Sequence, residues 1–204
     1  MTTGRRLAAP ARRHQLLDVG ARLFATRSYE HVLMEDVAEL AGVSRALLYR
    51  HFASKRDLFA AVYARAAEQL VTVTDLHPGR PLLEQVASGL EAHLDYFVAN
   101  RTTVLAANLQ LAGDPVIQRI ISDELEILRT GLLDAAGIEG RSRDVVSSVL
   151  MAWLTFVHVL CVDWLQHEHF SRDELRDICV GALDGALGPL PVTGSPGPPR
   201  QSRV

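Results

Sequence analysis

The feature that most constrains the fold of this chain is a three-residue connection, Gly42-Val43-Ser44, between two short helical patterns. Gly42 suits the left-handed conformation in which many helices end, because glycine adopts it without steric cost. Ser44 can cap the next helix, Arg45 to His51, by accepting hydrogen bonds from its free N–H groups. Two helices joined by a short turn containing glycine are typical of a helix-turn-helix.

The first helix of this pair is expected to begin near Met34. Its apolar residues recur at i, i+3 and i+4, which predicts one buried stripe consisting of Val37, Leu40 and Ala41. Small Ala38 would let the two helices cross closely.

The second helix presents a face suited to reading DNA. Arg45, Ala46, Tyr49 and Arg50 are expected to point outward. An arginine near the start of such a helix can bond to O6 and N7 of guanine in the major groove. Taken singly, each of these side chains is an ordinary surface residue; only together do they favour DNA binding.

A third helix is predicted to open at Ser54, where Ser54 to Asp57 resembles a capping box with Asp in place of the usual Glu or Gln. The free N–H groups of its first turn and the ammonium group of Lys55 form an anion site. A DNA phosphate would fit there.

The same stretch carries a joint set of matches to one known family: Phe24, Tyr29, Val37-Ala38, Ala41-Gly42-Val43-Ser44, Leu48-Tyr49, His51-Phe52, Ser54-Lys55 and Leu58. Because this stretch contains AGVS, LYRHF and SKRDL at this spacing, it resembles the N-terminal domain of the TetR family of bacterial transcriptional regulators. The resemblance covers about the first quarter of the chain. Beyond it, only the number and order of helices match.

The resemblance implies roles for individual residues. Arg45, Ala46 and Leu47 would approach base edges, and Tyr49, His51 and Lys55 would hold phosphates. The full predicted DNA-binding set is Ser44, Arg45, Ala46, Leu47, Tyr49, Arg50, His51 and Lys55.

Two positions depart from the family pattern. Val32 and Leu33 stand where a Thr or Ser usually caps the second helix and touches a phosphate. Ser28 replaces the customary Gly before Tyr29.

Charge is distributed unevenly along the chain. Residues 1–56 contain ten basic and five acidic side chains, a net charge of +5, whereas the remainder has eleven against nineteen, a net charge of −8. A basic head on an acidic body directs the nucleic-acid surface to the N-terminal part.

Helical periodicity continues to the end of the folded part, and the predicted fold class is all-α. We expect about nine helices, in which a three-helix helix-turn-helix domain precedes a helical ligand-binding and dimerisation domain. The predicted divisions are a flexible basic arm at 1–11, the DNA-binding domain at 12–56, the body at 57–187 and a disordered tail at 188–204. The arm either reaches the DNA backbone or minor groove or serves as a solubilising tail.

Individual helices are predicted from stripes and breaks. The first covers Arg12 to Thr26, and the helix opened at Ser54 acts as a lever that continues to the break at His77-Pro78-Gly79. A short helix from Thr103 to Leu111 precedes a long one that starts at Asp114-Pro115.

Val145 to Val162 contains no Asp, Glu, Lys or Arg over eighteen residues. That length matches a membrane span, but Ser147, Ser148, Thr155 and His158 and the lack of a basic flank favour a buried or interface helix.

The resemblance implies that the last two helices form a four-helix dimer interface, to which Cys179 and Ala182 would contribute. Both cysteines are expected to be buried, reduced thiols.

No catalytic site or cofactor is predicted, and no metal is expected, since His167-Glu168-His169 lacks a third ligand nearby. Polar and aromatic groups on apolar faces of the body are candidates for an effector pocket: His93, Tyr96, Asn108, Trp153 and His158. Each of them could equally be a satisfied core residue.

Together with what the resemblance implies, these patterns predict a cytoplasmic homodimeric repressor that leaves a palindromic double-stranded DNA operator when a small apolar or aromatic effector binds. No membrane partner is expected. The alternative is a helical dimer that binds a ligand or protein without a regulated DNA function. The basic head on an acidic body favours the regulator.

Overall fold

The computed structural model describes residues 9–73 and 76–188, and these residues are all-helical with no strand. The predicted all-α fold class is therefore confirmed. The elements are α1 Ala9–Thr26, a 3-10 turn Tyr29–His31, α2 Met34–Leu40, α3 Arg45–His51, α4 Lys55–Val73, α5 Leu82–Ala99, α6 Arg101–Leu105, a π-helical turn Ala106–Gln110, α7 Pro115–Ala135, α8 Gly140–His167 and α9 Arg172–Leu187.

The head consists of α1 to α3 packed on the first half of α4. Phe24 of α1, Leu48 of α3 and Phe59 of α4 are almost completely buried, and the rings of Phe24 and Phe59 meet edge to face at 5.0 Å. Helix α1 begins at Ala9, three residues earlier than predicted, so part of the expected arm is helical. The other arm residues, 1–8, lie outside the described part.

The predicted stripe of α2 was wrong in one residue. Val37 and Ala41 are buried, but the Leu40 side chain is 61% exposed. Met34 and Ala38 are buried instead, which centres the inward face between Val37 and Ala38 and leaves Leu40 beyond its edge, because successive residues turn by about 100°.

The body is a bundle in which α7 packs against α4 and α8, and α8 packs against α9. Helix α7 begins as predicted, with the Asp114 carboxylate accepting hydrogen bonds from the N–H groups of Val116 and Ile117 at 2.9 and 3.2 Å. The short helix predicted for Thr103 to Leu111 instead starts at Arg101 and widens into the π-helical turn, where Leu111 N donates to Ala106 O at 2.9 Å.

Helix α9 has two different faces. Leu175, Cys179 and Leu183 are buried against α8 within the protomer, whereas Ile178 and Ala182 are exposed. The expectation that Cys179 contributes to a dimer interface was therefore wrong. Its backbone carbonyl accepts a hydrogen bond from Trp153 Nε1 at 2.7 Å, deep in the core.

Helix α4 belongs to both units, since it packs on α1 in the head and on α7 in the body. The predicted boundary between residues 56 and 57 falls within its first turn. The predicted tail lies outside the described residues except for Gly188.

Candidate nucleic-acid interface and cavity

The turn between α2 and α3 is fixed by local hydrogen bonds. Gly42 has a φ of 62°, and the next residue, Val43, donates its N–H to Ala38 O at 2.9 Å. Ser44 is extended, and its Oγ accepts a hydrogen bond from Leu47 N at 3.2 Å. These contacts set the angle at which α3 leaves α2.

Helix α3 projects a continuous polar face into solvent. Its anchor is Leu48, which is fully buried, while Leu47 is half-buried. The exposed members of the predicted DNA-binding set are Ser44, Arg45, Ala46, Tyr49 and Arg50. One buried leucine thus anchors α3, and most of the surface of this helix stays free to enter a DNA groove.

Arg45 is ion-paired with Glu35 of α2. Both side chains are exposed, at 63% and 46%, so the pair orients the guanidinium without burying it. This contact was not predicted from the sequence, which indicated that Arg45 points outward.

Lys55 is held more tightly than the sequence suggested. Its Nζ donates to the backbone oxygens of Tyr29 and Glu30 at 2.8 and 3.1 Å, and it lies 4.6 Å from the centre of the Tyr29 ring. An ammonium group has three N–H donors, so one remains for a phosphate. His51, the last residue of α3, is half-buried.

The expected capping box at Ser54 was only half right. Ser54 Oγ accepts from Asp57 N at 3.1 Å, but the reciprocal bond from Ser54 N to the Asp57 carboxylate is not made among the described residues. The Asp side chain is one methylene shorter than Glu, and its carboxylate lies 3.6 Å from Arg56 Nη1. At the start of α2, Leu33 occupies the cap position without a side-chain hydrogen bond and is 53% exposed.

A small apolar cavity of about 40 Å³ lies between α5, α7 and α8. Among its lining residues are His93, Leu125, Leu128, Trp153 and Val157. The Nε2 atom of His93 is buried and has no hydrogen-bond partner. Burial, and to a lesser degree His158, lowers the pKa of His93 to about 3, so its ring is neutral at pH 7.

Asn108 and His158 form a polar pair beside this cavity. Asn108 Nδ2 donates to Val104 O at 3.0 Å, which leaves Oδ1 to accept from His158 Nε2 at 2.7 Å. The proton is therefore on Nε2, and the buried Nδ1 atom of His158 is an acceptor without a donor. Burial lowers the pKa of His158 to about 4. Asn108 lies in the π-helical turn, a feature that is frequent at functional sites.

The structure separates the predicted effector residues. His93 and Trp153 line the cavity, and Asn108 and His158 pair with each other. Tyr96 does not line the cavity; burial and the nearby Glu124 carboxyl raise its pKa.

Two buried polar residues were missed by the sequence analysis. Tyr63 of α4 is 2% exposed, and Glu124 of α7 is 6% exposed. Burial raises the pKa of Glu124 to about 7. Glu124 follows Ile121 by three residues and precedes Leu128 by four, so helical periodicity could have placed it on the buried face.

Helices α8 and α9 carry an exposed apolar surface, hereafter the α8–α9 face: Val145, Ala152, Phe156 and Val159 of α8 and Ile178 and Ala182 of α9. The Val159 side chain is 62% exposed. Within the described part of the chain, one helix, Gly140–His167, is long enough and apolar enough to cross a membrane, judged by length and composition alone.

Comparisons with known proteins agree with this geometry. Residues 16–62 match the family model described as bacterial regulatory proteins, tetR family. The chain is 42% identical to the HTH-type transcriptional activator FasR of Mycolicibacterium smegmatis over 94% of its own length and 90% of that protein. It is 38% identical to the HTH-type transcriptional repressor KstR of Rhodococcus jostii over 39% of this chain and 37% of that one. The crystal structure of a tetR-family regulator from Streptomyces coelicolor is similar with a TM-score of 0.77, at 21% identity, over 89% of this chain and 82% of that one.

Proposed function

The chain belongs to the TetR family of bacterial regulatory proteins and is a DNA-binding transcriptional regulator rather than an enzyme; from this premise we propose that it is a cytoplasmic homodimer that leaves a palindromic operator when a small effector binds. The observation that carries the proposal is the exposed face of α3 on a buried Leu48 anchor. One relative is named an activator and another a repressor. We propose repression by occupancy of the operator, with release from DNA as the regulated event.

The α3 face supports major-groove reading. Arg45 and Arg50 supply guanidinium donors, and Tyr49 adds a hydroxyl group on the same helix. Guanidinium groups can donate two hydrogen bonds to guanine. Lys55 at the start of α4 and His51 at the end of α3 would supply the phosphate contacts that fix the position of the helix on the duplex.

The α8–α9 face supports dimerisation. Exposed Phe156 and Val159 would be buried against their symmetry mates in a twofold interface. The absence of charge from Val145 to Val162 suits such a contact. Burial of the α8–α9 face in a dimer would explain why α8 is so apolar in a protein that acts on DNA in the cytoplasm.

The cavity beside His93 supports an apolar or aromatic effector. Its lining is mostly Leu, Val and Trp, and one unpaired ring nitrogen provides a polar anchor. A volume of about 40 Å³ holds only a few waters, so an effector would have to separate α5, α7 and α8. Because α7 also packs on α4, that separation would move the lever helix of each head.

The test is binding to DNA from upstream of the protein's own gene, measured by fluorescence anisotropy over a range of salt concentrations. We expect the affinity to fall with salt, and Arg45→Ala to reduce the preference for the operator over other sequences. Arg119→Ala, an exposed arginine on α7, is the matched control and should bind as the unaltered protein does. Equal, salt-insensitive binding by all three proteins would contradict the proposal.

A further inference from the structure

Glu124 is an isolated buried acid. The residue is 6% exposed, and its carboxyl group forms no hydrogen bond or ion pair with another described residue. Its neighbours are the phenol groups of Tyr63 and Tyr96, whose pKa values it raises by its charge. A buried carboxylate without a partner is costly, and proteins rarely retain one without a reason.

Glu124 lines a groove between α4 and α7 with a volume of about 480 Å³. This volume is within the range of about 300–1,000 Å³ that is usual for small-molecule sites. Ala64 and Ala67 form the wall on α4, and Ile120 and Ile127 form the wall on α7. The remaining lining residues, Glu68 and Asp123, are also acidic.

The charges of this groove select among ligands. Three carboxyl groups and no basic side chain line it, so an anion would be repelled. A neutral apolar molecule would fit the walls but would leave Glu124 unpaired. A cation with an apolar arm would satisfy both features, since its charge pairs with Glu124 and its arm contacts the alanines and isoleucines.

We propose that the groove between α4 and α7 is a second ligand site, which takes an organic cation of the alkylammonium class with its charged group against Glu124. This site is distinct from the cavity beside His93. The cavity uses Leu125, Leu128 and Leu132 of α7, whereas the groove uses Ile120, Glu124 and Ile127. The two sites therefore lie on different faces of one helix, and a cation in the groove also touches α4.

The position of the groove gives the ligand a route to the DNA-binding head. Helix α4 carries Ala64 and Ala67 in the groove and Lys55 at its N-terminal end in the head. A cation that separates α4 from α7 would change the angle of that helix. The effect on DNA binding would follow only to the extent that the cation prefers one head arrangement over the other.

The experiment uses the full chain and isothermal titration calorimetry with octyltrimethylammonium, octanol and octanoate at pH 8. We expect saturable binding of octyltrimethylammonium, and binding at least about tenfold weaker for octanol and octanoate, since only the cation pairs with Glu124. Comparable affinity for octanoate or octanol would overturn the proposal.

Two variants locate the cation. Glu124→Gln keeps the shape of the side chain and should weaken octyltrimethylammonium binding at least about tenfold, while a cooperative thermal transition shows that the variant is folded. Glu139→Gln changes an exposed acid at the start of α8 and should leave the affinity unchanged. Unaltered binding by Glu124→Gln would overturn the proposal.

A third variant separates the groove from the cavity. His93→Gln lies in the cavity and should not affect octyltrimethylammonium binding. If this variant loses the cation while Glu124→Gln retains it, the cation occupies the cavity and the groove is not a site. None of these measurements involves DNA, so their outcome is independent of the operator-binding test.

Discussion

Arg56 in the first turn of α4 and Asp114 at the N-cap of α7 are joined by a two-pronged ion pair, from Nε to Oδ2 and from Nη2 to Oδ1, the latter at 2.8 Å. Asp114 at the same time caps α7. The hydrogen bond from Arg56, with smaller help from the capping N–H groups, lowers the pKa of Asp114 to about 2. The pair therefore persists at neutral pH and connects the head to the first turn of the body.

The first prediction concerns this connection. Asp114→Asn should keep the cap, because Asn is as good an N-cap as Asp, but it removes the charge that pairs with Arg56. We expect a nearly unchanged melting temperature and an operator affinity altered several-fold, because the head is no longer fixed to α7. Asp134→Asn, which breaks the exposed pair with Arg143, is the control. Identical operator affinity in both variants would show that the pair has no part in positioning the head.

The second prediction separates base reading from anchoring. Arg45→Ala should cost about 1–3 kcal/mol on the preferred operator and less on other sequences, because a guanidinium–base contact is lost. Lys55→Ala should weaken binding to all sequences and also lower the melting temperature, because Lys55 holds the carbonyls of Tyr29 and Glu30. Anisotropy on operator and scrambled DNA, with thermal melts, distinguishes the two. A uniform loss on every sequence from Arg45→Ala would remove Arg45 from base reading.

The third prediction concerns the pH dependence of stability. The pKa of Glu124 is raised from 4.5 to about 7 in the folded protein, so the folded state binds the proton more tightly than the unfolded state. Its contribution to the free energy of unfolding therefore falls as pH rises from about 4.5 to 7. Glu124→Gln lacks this loss and should be more stable than the unaltered protein by up to about 3 kcal/mol above pH 8, with a difference near zero below pH 4.

Urea unfolding at pH 4, 6 and 8 measures this difference. Glu139→Gln, at an exposed position, should follow the unaltered protein at each pH. A Glu124→Gln variant that is less stable at pH 8 would mean that the carboxylate has a favourable partner in the folded state.

The fourth prediction concerns the α8–α9 face. Val159→Asp and Ala182→Glu would each place an unpaired charge in the proposed interface, at a cost large enough to dissociate a dimer. Sedimentation velocity should show a monomer for both variants. Val98→Asp changes a half-exposed valine on α5, which is not one of the residues of this face, and should remain dimeric. A stable dimer in Val159→Asp would place the interface elsewhere.

The fifth prediction concerns the effector. His93→Gln should leave operator affinity unchanged but weaken the response to an effector, because the cavity loses its unpaired ring nitrogen. Tyr96→Ala, at another of the candidate positions predicted from the sequence, should retain more of the response because Tyr96 does not line the cavity. The measurement is operator release against effector concentration. A full response in His93→Gln with loss in Tyr96→Ala would reverse these assignments.

Local chemistry explains which features could be read from the sequence. The turn at Gly42, the Ser44 cap and the Asp114-Pro115 start of α7 depend on residues within five positions of one another. Backbone hydrogen bonding at a helix end is decided over that distance. The helix-turn-helix and the order of the helices follow from such signals.

The tertiary structure decided which side chains of each helix are buried and which residues they contact. Periodicity places Leu40 near Val37, but only the packing of α1 shows that Leu40 falls outside the core. Lys55 and the carbonyls it holds are more than twenty residues apart in sequence, as are Trp153 and Cys179. Glu124 stays unpaired because α4 and α5 bring phenol groups, and no cation among the described residues, to its side of α7. The sequence by itself determined the order of the helices and their capped starts at Ser44 and Asp114, because those depend on local hydrogen bonds; the partners of each side chain were decided by the tertiary structure, because they come from distant segments.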